Sequence, residues 1–311
     1  MKQRMLRSSL HKRISRDLKK YGKAYLLVLP VVMYYILFCY KPMYGVIIAF
    51  KDFKLGLGIW NSPWAGFKHF VDFFDSYYFG RLIKNTLTIS LTSIIFDFPA
   101  PIILALMLNE LKDGAFKRIT QTISYLPHFI SMVVTCSLVR MFVANTGIIT
   151  QFLGLFGVSQ NVSLLSYPEY FVPIYVISGI WSEVGWGTII YLSALSGIDQ
   201  QLYEAATIDG AGRWKQTIHV TIPGITGTII IMFLLRMGSV MNVGHEKVML
   251  LYNEGIYETA DVISTFTYRY GLIKYQYSYS AAVGLFNSLI NFLIVVLFNR
   301  LSRKYTEFSL W

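Results

Sequence analysis

Charge is scarce in this chain. Asp, Glu, Lys and Arg make up 14% of its 311 residues, against about 25% in a soluble globular domain. That deficit points to a lipid environment. Only two cysteines occur, Cys39 and Cys136, both inside apolar runs, so no disulfide framework and no paired-cysteine metal site is expected. No GxxxxGK[ST] loop exists, and Gly22-Lys23 lacks the first glycine of one, so the chain is not expected to hydrolyse ATP. His245-Glu246 begins like a zinc helix, but Met249 stands where the second histidine belongs. Acidic pairs within the apolar runs are missing as well, which argues against a proton relay. No catalytic residue, metal ligand or cofactor is therefore assigned. An intramembrane enzyme is the alternative class and an ion-driven carrier a third. A net charge of +11 raises nucleic acid as a partner. The cations cluster beside apolar runs, however, and a membrane accounts for them.

What the chain has is apolar length. It is 54% hydrophobic with a mean hydropathy of +0.48. Six runs reach or approach the ~20 residues that a spanning helix needs: about 24–50, 85–108, 122–143, 171–195, 224–243 and 280–298. Lys41-Pro42 suggests a kink or an early exit near the outer end of the first. The first run is too long for a secretory signal, and no small-x-small site follows it. With the N-terminus inside, the inner segments hold 17 Lys and Arg and the outer ones eight, the expected positive-inside bias. The expectation is an all-α, six-helix polytopic membrane protein with both termini in the cytoplasm. Residues 1–84 form a basic N-terminal segment, first helix and external loop. Residues 85–299 form the core, and 300–311 a cytoplasmic tail.

Besides Lys41, the ionisable residues that stand out within these runs are Asp97, Arg140, Glu183 and Arg236. Each is costly in lipid and should face protein or a water-filled cavity. Arg140 is near a membrane surface and can snorkel. Asp97, beside Pro99 and Pro101, can bind freed backbone amides. Trp181, Glu183 and Trp186 share one run with Gly179, Gly185 and Gly187. Aromatic faces with nearby polar groups suit a sugar, so Trp181, Glu183, Trp186 and Arg236 are candidates for a substrate pathway. Tyr268, Tyr270, Tyr275, Tyr277 and Tyr279 read as an external interfacial patch.

Between the fourth and fifth runs lies EAATIDGAGRWKQTIHVTIP, Glu204 to Pro223. Asp199 can cap a helix that starts near Gln200 and carries Leu202, Ala205, Ala206 and Ile208. Gly210 and Gly212 break it. A second short helix fits Arg213 to Val220, and Pro223 starts the next membrane helix. Glu204-Ala205-Ala206, then Asp209-Gly210-Ala211, then Ile222-Pro223 resembles the EAA loop of binding-protein-dependent ABC importer permeases. Ile222 stands where that family usually has leucine. Phe116-Lys117-Arg118 and Tyr125-Leu126-Pro127-His128-Phe129-Ile130-Ser131 resemble the polysaccharide and oligosaccharide branch, the LplB-like permeases.

The resemblance implies a maltose-importer-like fold in a bacterial plasma membrane. It implies that Glu204, Ala205, Ala206, Asp209, Gly210 and Gly212 belong to a coupling helix, within a loop at 199–223, that docks into a cytoplasmic ATPase. It also implies a homologous second permease, a dimer of that ATPase holding ATP and Mg, an external solute-binding protein and a carbohydrate cargo, an oligosaccharide or polysaccharide fragment, with a non-sugar solute as the alternative.

Overall fold

The computed structural model describes residues 20–157 and 162–311. Most of the basic N-terminal tail and Gln160 lie outside them. The described residues contain no strand, only one bridge between Lys51 and Trp64. Two compact units are distinguished, residues 1–67 and 68–311. The sequence-based division after residue 84 falls instead inside a helix.

The first unit is one 31-residue helix, α1 (Lys20–Phe50), followed by a folded loop. At 1.5 Å per residue α1 is roughly 46 Å long, enough to cross a bilayer. Pro42 does not end it. A π-turn at Tyr35–Tyr40 precedes the proline and a 3-10 stretch at Tyr44–Phe50 follows, so the missing amide is absorbed by a change of helical winding. Lys51 Nζ donates to the carbonyls of Ile59 (2.9 Å) and Trp60 (2.8 Å), which holds the loop against the helix end.

The second unit is helical throughout. Its main elements are α2 (Phe79–Glu110), α3 (Ala115–Phe129), α4 (Met132–Phe142), α5 (Pro168–Ser196), α6 (Gln200–Ile208), α7 (Arg213–Met237), α8 (His245–Leu251) and α9 (Tyr277–Tyr305). Helices dominate because an apolar solvent leaves backbone groups no partner except each other. Four helices of the described residues are long and apolar enough to span: α1, α2, α7 and α9, with α3 and α4 as a fifth if the bent pair is one crossing.

The third run is not one straight helix: α3 and α4 meet at 103°. Pro127 enforces a 3-10 turn, and Ser131 caps the new helix by accepting the Val134 amide. Arg213 begins a helix that continues to Met237 through Pro223, because a π-turn at Thr217–Thr221 accommodates the proline ring. Arg300, Arg303 and Lys304 are not a free tail but the last turns of α9, where cations complement the helix dipole. The fourth run is a single 29-residue helix, α5, whose Ser178, Ser182 and Thr188 are buried. With those residues, Glu183 and its glycines, it falls short of the apolarity of the other long helices.

Tyr270 and Tyr279 are not an external patch. Tyr270 stacks on buried Phe266 with ring centroids 4.1 Å apart, and Tyr279 joins the same aromatic group. Tyr275 is exposed. The core falls into three clusters. One joins α2, α4, α5 and α8 through Ile89, Val139, Phe171 and Val248. A second gathers Phe73, Leu82, Phe266 and Val283. The third joins α2, α5 and α7 through Ala105, Tyr191, Leu195 and Ile225. Lipid tails are as apolar as these side chains, so close packing and small residues, rather than exclusion from water, must hold the helices together.

Candidate functional site

Helix α5 is the axis of the site. Gly185 lies so close to the end of α3 that an added Cβ would overlap the backbone of Ser124. A Cβ at Gly187 would come within 3.0 Å of the Pro101 ring on α2. One at Gly179 would be 3.1 Å from Lys247 Nζ and 3.6 Å from Asp97 Oδ2. The three glycines thus seat three neighbours on one helix. The signal was visible in the sequence; the neighbours were not.

Around that helix a cavity of about 570 Å³ opens between α2, α5, α7, the stretch 238–244 and α8. Glu183, Trp186 and Arg236 line it. Trp181 does not line it, and its side chain is 40% exposed. At about 100° per residue, Trp181 sits roughly 200° around the helix from Glu183, whereas Trp186 is about 60° away. Polar groups of the lining include Ser93, Ser182, Ser239 and Asn242; Trp186, Tyr191 and Phe98 supply aromatic surface. Apolar walls with a few placed polar groups are the usual make-up of a small-molecule site.

The bend between α3 and α4 delivers a residue that sequence reasoning did not single out. His128 Nδ1 is 2.9 Å from Glu183 Oε2. Its ring lies parallel to that of Trp186, 4.5 Å away and tilted by 4°, while Phe129 meets the indole edge-on. His128 and Glu183 are 55 residues apart, and the only hint was the YLPHFIS phrase. Lys247 is another residue that the sequence pattern does not single out. It is buried, donates to the Tyr175 carbonyl at 2.7 Å and sits 4.4 Å above the Tyr175 ring. Burial pulls its ammonium down to about 8, and nearby Asp97 opposes that shift. Asp97 does not cap a broken helix through both oxygens, because its Oδ1 is buried without a hydrogen-bond partner. Arg140 reaches the carbonyl of Tyr252 at 3.4 Å.

The loop after α5 is built by local chemistry. Asp199 accepts the Gln201 amide at 3.0 Å and caps α6. Asp209 ends the helix, and Gly210 follows with φ +76, a left-handed angle that suits glycine. Its amide donates to Thr207 O and that of Ala211 to Ala206 O, the paired bonds of a Schellman cap. Gly212 then caps α7 with extended angles. Gln216 Nε2 ties the halves together, donating to Thr207 Oγ1 and Ala211 O. Glu204 and Ala205 are exposed, Ala206 is half-buried, and Leu202, Ile208 and Trp214 present apolar surface. Tyr203 faces the other way. Its hydroxyl is 3.0 Å from Thr221 Oγ1, and its ring packs on the third cluster. Tyr191 and Met232, which line the cavity, pack in that same cluster.

Residues 97–307 match the family of binding-protein-dependent transport system inner membrane components. Protein LplB of Bacillus subtilis is 43% identical over 94% of this chain and 92% of its own. The polygalacturonan/rhamnogalacturonan transport system permease protein YteP of the same organism is 42% identical, over 91% and 88%. The fold matches a chain in the crystal structure of a bacterial ABC transporter involved in the import of the acidic polysaccharide alginate. That match has a TM-score of 0.86 at 43% identity and covers 94% of this chain and 99% of the other. A second structure, of a bacterial alginate ABC transporter in complex with an alginate pentasaccharide-bound periplasmic protein, matches with a TM-score of 0.87. The chain therefore belongs to the binding-protein-dependent transport system inner membrane components: it is a multi-pass permease subunit of an ABC importer, not an enzyme.

Proposed function

We propose that this permease passes an oligosaccharide or polysaccharide fragment, released by an external solute-binding protein, through the cavity beside α5. The observation that carries this reading is the third cluster, which links Tyr203 on the exposed helix α6 to Tyr191 and Met232 in the cavity wall. A force on α6 reaches the cavity through packed side chains, not through a flexible loop. The relatives that transport polygalacturonan/rhamnogalacturonan and alginate support a sugar cargo.

In this reading six crossings place both termini and α6 in the cytoplasm, with α5 and the bent α3–α4 pair counted among them. Glu204, Ala205, Ala206, Asp209, Gly210 and Gly212 form the surface that seats on a cytoplasmic ATPase dimer, which holds ATP and Mg. A homologous second permease completes the pathway. Closure of the ATPases moves α6, and α5 and α7 tilt with it, opening the cavity alternately to either side. Glu183, Trp186 and Arg236 line the path, and Trp181 does not. Replacing Trp186 by alanine is expected to impair sugar uptake with the complex still assembled, and the same change at Trp181 to leave uptake near wild type. Equal uptake by both variants would remove the cavity from the pathway.

A further inference from the structure

Helix α9 contributes no residue to the cavity lining, yet it carries buried asparagines at 287, 291 and 299. Two of them bond to one stretch. Helix α7 ends at Met237 and α8 starts at His245, leaving 238–244 without regular helical bonds. Irregular backbone at membrane depth survives only where it is buried in protein or lines a wet cavity. Ser239, Val240, Asn242, Val243 and Gly244 of this stretch do line the cavity. From behind, Asn291 Oδ1 accepts the Met241 amide at 2.8 Å, a fully buried bond. One turn earlier, Asn287 Nδ2 donates to Asn242 Oδ1 at 2.7 Å. A backbone amide can only donate, so it fixes the Asn291 side chain with its oxygen toward Met241. The remaining atoms, Asn287 Oδ1 and Asn291 Nδ2, are buried without partners. Such polar groups on a lipid-spanning helix are costly, and a purely packing role would be served by leucine.

We infer that Asn291, assisted by Asn287, is a positioning residue: it holds the irregular stretch 238–244 in the shape that forms one wall of the translocation cavity. It touches no cargo and acts through Met241 and Asn242. The inference rests on the cavity reading above for its transport consequence, but its geometry can be tested without any sugar.

The test uses the assembled complex with Cys39 and Cys136 replaced by alanine and a cysteine introduced by Ser239→Cys. The rate at which a small maleimide labels that cysteine is measured with Asn291→Leu and with Asn291→Asp. Leucine keeps the approximate size and removes the acceptor; aspartate keeps both, since a carboxyl oxygen can accept the Met241 amide. Loss of one buried hydrogen bond is expected to change the labelling rate about tenfold in the leucine variant, with the aspartate variant near the parent. If Asn291→Leu does not assemble, Asn291→Ser, too short to reach Met241, must give the same change. Unchanged labelling in the variant lacking the bond, or equal changes with leucine and aspartate, would overturn the proposal. As a second readout, alginate oligosaccharide loaded on its binding protein is titrated against ATP hydrolysis. The half-saturating concentration is expected to rise about tenfold in Asn291→Leu, with the maximal rate held within about twofold. A fall in maximal rate alone would mean a merely structural role. Shifted labelling with a Trp186→Ala variant that still transports would instead retain the wall and refute the cargo path.

Discussion

Replacing Gly210 by valine or asparagine separates backbone geometry from bulk in the turn between α6 and α7. Gly210 has φ +76, and a Cβ added there would meet nothing within 4 Å. Steric overlap with neighbours is therefore absent, and the cost of a side chain is conformational. A left-handed angle costs an ordinary L-residue about 1–2 kcal/mol, and least for asparagine. The turn fixes the Gly210 amide on Thr207 O at 3.0 Å and the Ala211 amide on Ala206 O at 2.8 Å. Each such bond contributes about 0.5–1.5 kcal/mol net, so losing the turn costs a few kcal/mol if both break. With about 1.4 kcal/mol per factor of ten, valine should lower the equilibrium constant for the native turn by about five- to thirtyfold. The assay is co-purification of the ATPase together with sugar-stimulated hydrolysis in the reconstituted complex. Valine is expected to reduce hydrolysis, by up to about that factor, while asparagine stays close to wild type. A loss with asparagine as large as with valine would refute the backbone argument. Normal hydrolysis with valine would refute the coupling role of the loop.

Two further outcomes follow from close packing and from its absence. Gly185→Ala forces a methyl group into the Ser124 backbone. It is expected to cost about 1–3 kcal/mol of stability by overpacking, measured as a lower melting temperature of the detergent-solubilised complex, and to separate His128 from Glu183. An unchanged melting temperature would mean that α3 and α5 are not held at this distance. Ala205→Trp, at an exposed position of α6, is expected to leave the permease folded but weaken ATPase retention, by about fivefold or more if the seat is as tight as a protein core. Full retention would place the docking surface elsewhere.

The α6 turn was legible because its determinants are local. Asp199 caps, Gly210 takes the positive φ and Gly212 the next cap, all within 14 residues of one another, and turn chemistry acts at that range. Helical winding through prolines was less legible. Pro42 reads as a kink or exit and Pro223 as the start of a new helix, yet the helix runs through each beside a π-turn. Pro127, with Ser131 ready to cap a new helix, produced the 103° bend between α3 and α4. A proline states that an amide is missing; what its neighbours do about it depends on their packing.

By itself the sequence determined that the chain is helical, membrane-bound and built around the loop Glu204–Pro223, because apolar run length, cation bias and turn residues are one-dimensional quantities. It also carried, unread, the helical phase that separates Trp181 from Trp186. Only the tertiary structure decided which side chains share the cavity. His128 meets Glu183 across 55 residues of chain, Lys247 reaches Tyr175 across 72, and Asn291 holds Met241 across 50. Each of these bonds depends on how α3, α8 and α9 pack beside their partners, and helices in lipid are placed by close contact between small and polar residues, whose partners no sequence pattern names.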